Sequence, residues 1–186
     1  KFILYVGSFS YHKNIDSLLK AVALLKNKYQ QEISLVLVGN MDSFYLDNLR
    51  KIIKEENIEN LVKFTGKISD AELVGIYNLA ELFIFPSLYE GFGMPLIEAM
   101  ACGAQVVCSA ASSFGEIGKE SAVYFNPNSI EDIAEKIKFV FNNETVKKQL
   151  RKNGFETASN FTWQKTAEKT LEYYEKILTA QKTGGF

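Results

Sequence analysis

The sequence predicts an α/β domain of Rossmann-like, three-layer construction, with a roughly six-stranded parallel sheet covered by helices on both faces. Three observations predict it. Short apolar runs alternate with amphipathic helical patterns along the whole chain, as in a parallel sheet wound by helices. Strand-like runs such as ISLVLVG (33–39) are continuously apolar, as strands covered on both faces are. The 186 residues, 47% of them apolar, are one domain's worth of chain with enough material for a core.

The elements follow in order. KFILYVG (1–7) is β-branched and aromatic and ends in glycine, which reads as a strand. Ile15, Leu18, Leu19, Val22 and Leu25 then share one helical face, with Asn14 as the expected N-cap. ISLVLVG is the second strand, and Tyr45, Leu46, Leu49, Ile52 and Ile53 mark the second helix. LVKFTG (61–66) is the third strand. Ser69 and Glu72 form a capping box for a helix over 70–80. LFIFPS (82–87) is the fourth strand, and a short helix starts at Pro95 and stops at Gly103. QVVCSA (105–110) and AVYF (122–125) are the fifth and sixth strands. Helices are expected over about 129–141, 144–158 and 163–179. No repeat, low-complexity stretch or linker interrupts them, so residues 1–186 read as a single domain.

The bulk numbers exclude several classes. A net charge of −1 gives no broad electrostatic footprint for nucleic acid or an anionic membrane. Cys102, Cys108 and the single histidine, His12, make neither a disulfide framework nor a four-ligand zinc site, and both cysteines are expected to be reduced core thiols of a cytoplasmic protein. One histidine also removes most Ser-His-Asp and Cys-His arrangements. No apolar run approaches the roughly 20 residues of a membrane span. Lys1 opens directly into a strand, so the chain is expected to be part of a longer protein.

Ligands of open parallel sheets bind at the carboxyl ends of the strands. Here that edge carries the loops after residues 6, 38, 65, 85 and 109, together with EGFGMPLIEAMACG (90–103). With Pro95 in the first helical position, the N–H groups near Gly93, Met94 and Leu96 and the helix dipole form an anion site. Gly91 and Gly93 let the backbone approach a ligand; an ordinary tight strand-to-helix turn uses the same residue types. Glu98 favours the ligand. It is one charge among apolar or small neighbours, and helical side chains lean back toward the N-terminus. A carboxylate there suits a pair of sugar hydroxyls better than a phosphate. A glutamate favoured by the dipole would explain its place but not its apolar surroundings.

Glu90, across the turn, is expected to face a sugar, accepting hydroxyl hydrogen bonds or stabilising positive charge at a carbon losing its phosphate. The alternative is a solvated loop glutamate. The loop GSFSYHKN (7–14) supplies the cation, since Lys13 at the start of the next helix can neutralise a phosphate. This loop is neither G-x-G-x-x-G nor a P-loop, and no D-x-D occurs. A departing diphosphate would therefore be stabilised by Lys13 and the helix start, without a metal or other cofactor.

These residues resemble a known family. The E-x7-E of PSLYEGFGMPLIEAMACG, Glu90 to Glu98, is similar to the donor-binding motif of the group 1 (family 4) retaining glycosyltransferases. YVGSFSYHKNIDSLLKA (5–21), LVLVG (35–39), VKFTGKISDAEL (62–73), IYNLAELFIFPS (76–87) and FTW (161–163) match in order, so the resemblance covers essentially the whole chain. It implies the C-terminal, nucleotide-sugar-binding half of a GT-B enzyme, whose N-terminal acceptor-binding domain is not in this chain. It implies transfer from a nucleotide-diphosphate sugar, GDP-mannose or a UDP-sugar, to a glycan or glycolipid in surface polysaccharide assembly. A GT-B nucleotide-sugar epimerase and a non-catalytic binding module are the alternatives. Any membrane contact would run through the absent half, at the inner face of the cell membrane.

By the same resemblance, Glu90 and Lys13 are the catalytic residues, Lys13 on the donor phosphates and Glu90 by the donor sugar, and Gly7, Ser8, His12 and Phe92 to Leu96 (with Gly93, Met94 and Pro95) contact donor phosphate and sugar. Glu98 holds the ribose, and Gly39, Lys67 and Ile68 lie by the base. There are two departures. Many members carry arginine at the position of Ser8 or His12; serine is neutral and a histidine only partly charged near neutral pH, so donor binding is expected to be weaker or more pH-dependent. Gln105 stands where proline is common and is expected to be tolerated at the opening of a strand. Family members usually return the last helix to the N-terminal domain. Its apolar side, Leu171, Tyr174, Ile177 and Leu178, is expected either to cover this domain's own core or to lie exposed.

Overall fold

The computed structural model describes residues 1–42 and 44–182. Six strands form one sheet: β1 (Phe2–Val6), β2 (Ser34–Val38), β3 (Val62–Gly66), β4 (Leu82–Phe85), β5 (Val106–Ser109) and β6 (Ala122–Phe125). Their order is β3-β2-β1-β4-β5-β6. Every neighbouring pair is parallel. The helices are α1 (Ile15–Tyr29), α2 (Leu46–Glu55), α3 (Asp70–Leu79), α4 (Met94–Ala101), α5 (Phe114–Gly118), α6 (Ile130–Phe141), α7 (Glu144–Ala158) and α8 (Trp163–Lys182). β4 and β5 are buried at every residue, as continuously apolar strands must be when helices cover both faces. α1 packs against α2 and α6, and α4 packs against α7. The Ser69–Glu72 capping box forms as the spacing predicts. Among the described residues no helix is long and apolar enough to cross a membrane.

Some boundaries differ from expectation. α4 begins at Met94, one residue before Pro95, because Gly93 takes a left-handed conformation that turns the chain early. Pro95 still replaces an N–H that would have no helical partner. Asn14 does precede α1, but its side chain caps nothing; it ties loops together instead. α5 is too short for its periodicity to be read, and Phe114 and Ile117 hold it by packing. Gln105 is tolerated because it lies buried with its amide Nε2 donating to the Gly103 carbonyl at 3.1 Å. Of the two outcomes open for the last helix, the structure shows exposure. Leu171, Tyr174, Ile177 and Leu178 are each more than half exposed, and every described side chain of α8, from Trp163 to Thr179, is exposed.

At the edge opposite the ligand loops, Lys147 is almost fully buried. Its Nζ meets Glu81 at 2.8 Å and Glu144 at 2.6 Å, while Lys1 reaches Glu81 at 3.2 Å. Burial alone would pull the Lys147 ammonium down, but hydrogen bonds to Glu144 and Glu81 outweigh it and hold it above its ordinary value. The hydrogen bond from Lys147 holds the Glu81 carboxyl below its ordinary value. Lys147→Ala is expected to cost about 1–3 kcal/mol at neutral pH, because it leaves the partly buried Glu81 with the exposed Lys1 as its remaining partner. A lowered carboxylate gives stability that is present above its unfolded pKa and lost as pH falls through the folded value. The difference between wild type and variant in urea midpoints should therefore shrink in acid. On the alkaline side the raised lysine gives its full contribution below its unfolded pKa and loses it as pH rises through the folded value.

Candidate functional site

The strand order reverses between β1 and β4, and the crevice outside their carboxyl ends is where open α/β sheets bind ligands. Two loops flank it. The loop after β1 spans residues 7–14 and contains one 3-10 turn, Tyr11–Lys13. The loop after β4 spans residues 86–93 and leads into α4. They are sewn together: the Leu88 N–H donates to the His12 carbonyl at 2.8 Å. The buried Asn14 amide donates to the carbonyls of Pro86 at 3.1 Å and of Pro127 at 2.8 Å.

That stitching brings Lys13 and Glu90 into a direct ion pair, with only 14% and 13% of their side chains exposed. Sequence reasoning put Lys13 on a phosphate and Glu90 by a sugar, and missed that they touch. The same Glu90 oxygen, Oε1, accepts a hydrogen bond from Ser87 Oγ at 2.8 Å, and Ser87 is fully buried. Lys13 Nζ also stands 5.8 Å from the centre of the Phe85 ring. Beneath them, the Tyr5 phenol donates to the Ser8 carbonyl at 2.8 Å; burial first, then the Glu90 charge, pushes its pKa up, so it stays protonated. The carboxylate is thus not a solvated loop residue. It is fixed by Lys13 and Ser87 and shielded from solvent, which strengthens its electrostatic effect on anything placed beside it.

The E-G-F-G loop is braced from the loop after β5. Ser112 Oγ pairs with both the N–H and the carbonyl of Glu90, and Ser113 Oγ donates to the Phe92 carbonyl at 3.1 Å. Neither serine was picked out from sequence; their only signal is a small polar run, SAASS, after an apolar strand. Gly93 has φ +94°, and a Cβ there would lie 2.8 Å from the Phe114 ring, so glycine is required. The N–H groups of Gly93 and Met94 have no partner among the described residues and stand at the positive end of α4. The Leu96 N–H, also expected to be free, instead donates to the Gly93 carbonyl at 2.9 Å. Phe92 and Met94 are exposed, and Pro95 is half-buried.

Glu98 lies one turn into α4 and is half-buried rather than largely buried, with its Oε2 3.3 Å from the Tyr77 hydroxyl of α3. Burial first, then the Glu98 charge, raises the Tyr77 phenol, which keeps it a donor. Of the remaining candidates, Ser8 and His12 are exposed, and the His12 ring reaches Ser10 Oγ at 3.3 Å. Gly7 and Gly39 end β1 and β2, where the Gly39 N–H reaches the Gly66 carbonyl of β3 at 3.3 Å. Lys67 is exposed and Ile68 packs partly against the core. At about 4.8 Å between strands, the loop of Lys67 and Ile68 sits two strands, about 10 Å, from the loop after β1. The edge therefore offers a half-buried surface, a carboxylate, an open helix start and a paired cation and anion. That is a surface for an elongated polar ligand carrying an anionic group. Among the described residues, no group of three or more His, Cys, Asp or Glu side chains is arranged to hold a metal ion.

Comparison with known proteins gives the same picture. Serotype-specific mannosyltransferase WbdA of Escherichia coli is 33% identical over 184 residues, which cover 98% of this chain and 22% of that protein. O-antigen chain mannosyltransferase B of Escherichia coli is 30% identical over 176 residues, covering 95% of this chain and 46% of that protein. The solved sucrose-phosphate synthase of Thermosynechococcus elongatus superposes with a TM-score of 0.86 at 29% identity, over 96% of this chain and 46% of the other. The chain thus spans less than half the length of these relatives. The sequence family described as "Glycosyl transferases group 1" matches residues 1–157. On that match, with this strand order, the chain belongs to the group 1 glycosyltransferases.

Proposed function

We propose that this chain is the nucleotide-sugar-binding, C-terminal half of a two-domain retaining glycosyltransferase. It presents a hexose, mannose from GDP-mannose or a sugar from a UDP donor, to a glycan or glycolipid acceptor in surface polysaccharide assembly. The observation that carries this reading is the Lys13–Glu90 pair beside the unpartnered N–H groups of Gly93 and Met94 at the strand-order reversal. The donor diphosphate draws Lys13 away from Glu90 and lies on the start of α4. Glu90, still held by Ser87, then faces the sugar, where its charge favours the positive charge that grows as the diphosphate leaves. Gly7, Ser8, His12 and the backbone of Phe92 to Leu96 border the phosphates and sugar. Glu98 takes the ribose hydroxyls, and Gly39, Lys67 and Ile68 border the base. Lys13 and the helix start carry the leaving charge with no metal. The mannosyltransferase names of the relatives favour mannose. The other half of the protein supplies the acceptor site, so the 186-residue chain binds donor and transfers sugar slowly or not at all.

The test is calorimetric titration with UDP, GDP and ADP in the presence of EDTA. One nucleotide should bind, and Glu98→Ala should weaken it about tenfold or more, the cost of losing hydrogen bonds to a charged group. A wild-type chain that ignores all three at millimolar concentration would overturn the reading, as would binding that requires a divalent cation.

A further inference from the structure

FTW (161–163) lies outside the loops that build the candidate donor site, yet its first residue touches one of them. The Phe161 ring meets the Phe92 ring edge to face, with centres 5.7 Å apart and planes at 70°. Neither ring belongs to the buried core: Phe92 is 41% exposed and Phe161 39%. Rings left this open bury little apolar area and contribute little to folding, so folding alone does not account for their pairing at the ligand edge.

Phe92 stands between Gly91 and Gly93, so its ring is the one side chain by which the turn between Glu90 and α4 can be held. Glycine backbone has the most freedom to lose, and a turn flanked by it needs an outside hold. From the loop after β5, Ser113 Oγ holds the Phe92 carbonyl at 3.1 Å. From the end of α7, Phe161 holds the ring. Phe161 itself sits on a stiff frame. Its N–H donates to the Ala158 carbonyl at 3.0 Å, and the Asn160 N–H to the Thr157 carbonyl at 3.0 Å, which closes the last turn of α7. Ala158 is buried, Thr157 Oγ1 meets Ser121 Oγ at 2.7 Å, and α7 packs against α4. The helix whose start bears the unpartnered N–H groups thus packs on the helix that carries Phe161.

We propose that Phe161 is a positioning residue of the donor site: by holding the Phe92 ring it fixes the turn 91–93 and so aims the N–H groups of Gly93 and Met94. It acts through Phe92 and not on the ligand. An anion at the start of α4 needs both N–H groups turned toward it, and a turn already fixed in that attitude loses less freedom when the ligand arrives. A surface contact without this role would leave the turn equally ordered with or without the Phe161 ring. That the N–H groups take a diphosphate rests on the function proposed above; the hold of Phe161 on the turn does not.

The test begins without ligand. In amide nitrogen relaxation measurements on the 186-residue chain, Gly91 to Met94 should have order parameters near those of rigid backbone, about 0.85, and Phe161→Ala should bring them toward about 0.6. Phe161→Tyr keeps the ring and should restore them. Urea midpoints of both variants should stay at the wild-type value, as for surface substitutions generally. In calorimetry, Phe161→Ala should weaken whichever of UDP, GDP or ADP binds the wild type about 2- to 10-fold, the worth of an aromatic pair. In a Phe92→Ala background it should weaken binding no further, since the two residues act as one unit. Unchanged order parameters in Phe161→Ala overturn the proposal. So does a turn that loosens with no loss of affinity, or an equal loss in the Phe92→Ala background, which would place the action of Phe161 elsewhere. A turn loosened by Phe161→Ala in a chain that binds none of the three nucleotides overturns the donor reading and leaves the hold of Phe161 on the turn standing.

Discussion

Lys13→Ala is expected to lower nucleoside-diphosphate affinity at least about a hundredfold, whereas Glu90→Gln raises it. Truncating one member of a desolvated charge pair costs about 2–5 kcal/mol of binding. On the donor site proposed above, Lys13 is the charge that meets the diphosphate, and its side chain is only 14% exposed. Without ligand that charge is already spent on Glu90, so the donor competes with an internal anion for it. Glu90→Gln removes the competitor and keeps the shape, which leaves Lys13 free for phosphate. On the same proposal this substitution removes the negative charge facing the sugar, so transfer by the full-length protein is expected to fall while nucleotide binding tightens. Lys13→Arg keeps the charge but replaces a compact ammonium with a planar fork, and should rescue binding only in part. Calorimetry on the chain, with circular dichroism to show that each variant is folded, checks all three. If Glu90→Gln weakened nucleotide binding, the competition would be wrong and Glu90 would be a direct ligand.

Gly39→Ala is expected to destabilise the domain by about 3 kcal/mol or more, the upper end for forcing atoms into packed space. Total stabilities of domains are about 5–15 kcal/mol, so this is a large fraction. Gly39 follows β2, directly against the end of β1. A Cβ there would fall 2.1 Å from the Gly7 carbonyl oxygen and 3.0 Å from the Phe9 ring. A flexible side chain could move aside, but a carbonyl in a sheet corner cannot, since Gly7 also donates its N–H to the Val38 carbonyl at 3.0 Å. The clash would push the loop after β1 outward and carry Lys13 with it, so stability and nucleotide binding should fall together. Gly91→Ala is the control, because a Cβ at Gly91 meets nothing within 4 Å. Urea denaturation followed by tryptophan-independent far-UV dichroism checks it; equal midpoints for the two variants would refute the argument.

The strands and the long helices were legible in the sequence because burial repeats locally, with a period of two in a strand and 3.6 in a helix. The candidate site was legible in part for a related reason. Glu90 and Glu98 are charges set among glycines or apolar residues, where a charge needs a partner, and Lys13 stands just ahead of the first helix in the loop after the first strand. What tertiary structure alone decided was which groups meet. Lys13 and Glu90 are 77 positions apart, and nothing in either loop says that β1 and β4 are neighbours in the sheet. The same long-range placement turned Asn14 from an expected cap into a tie between the loops after β4 and β6, which are 72 and 113 positions away. It also made the small serines Ser87, Ser112 and Ser113 into supports for Glu90 and Phe92, a role that a hydroxyl shows only when its acceptor is in view. The sequence alone determined the elements and the charges available to them, since those depend on neighbours within a turn or two. The order of the strands, the ion pair and the exposed last helix depend on contacts between distant segments, and local periodicity carries no record of those.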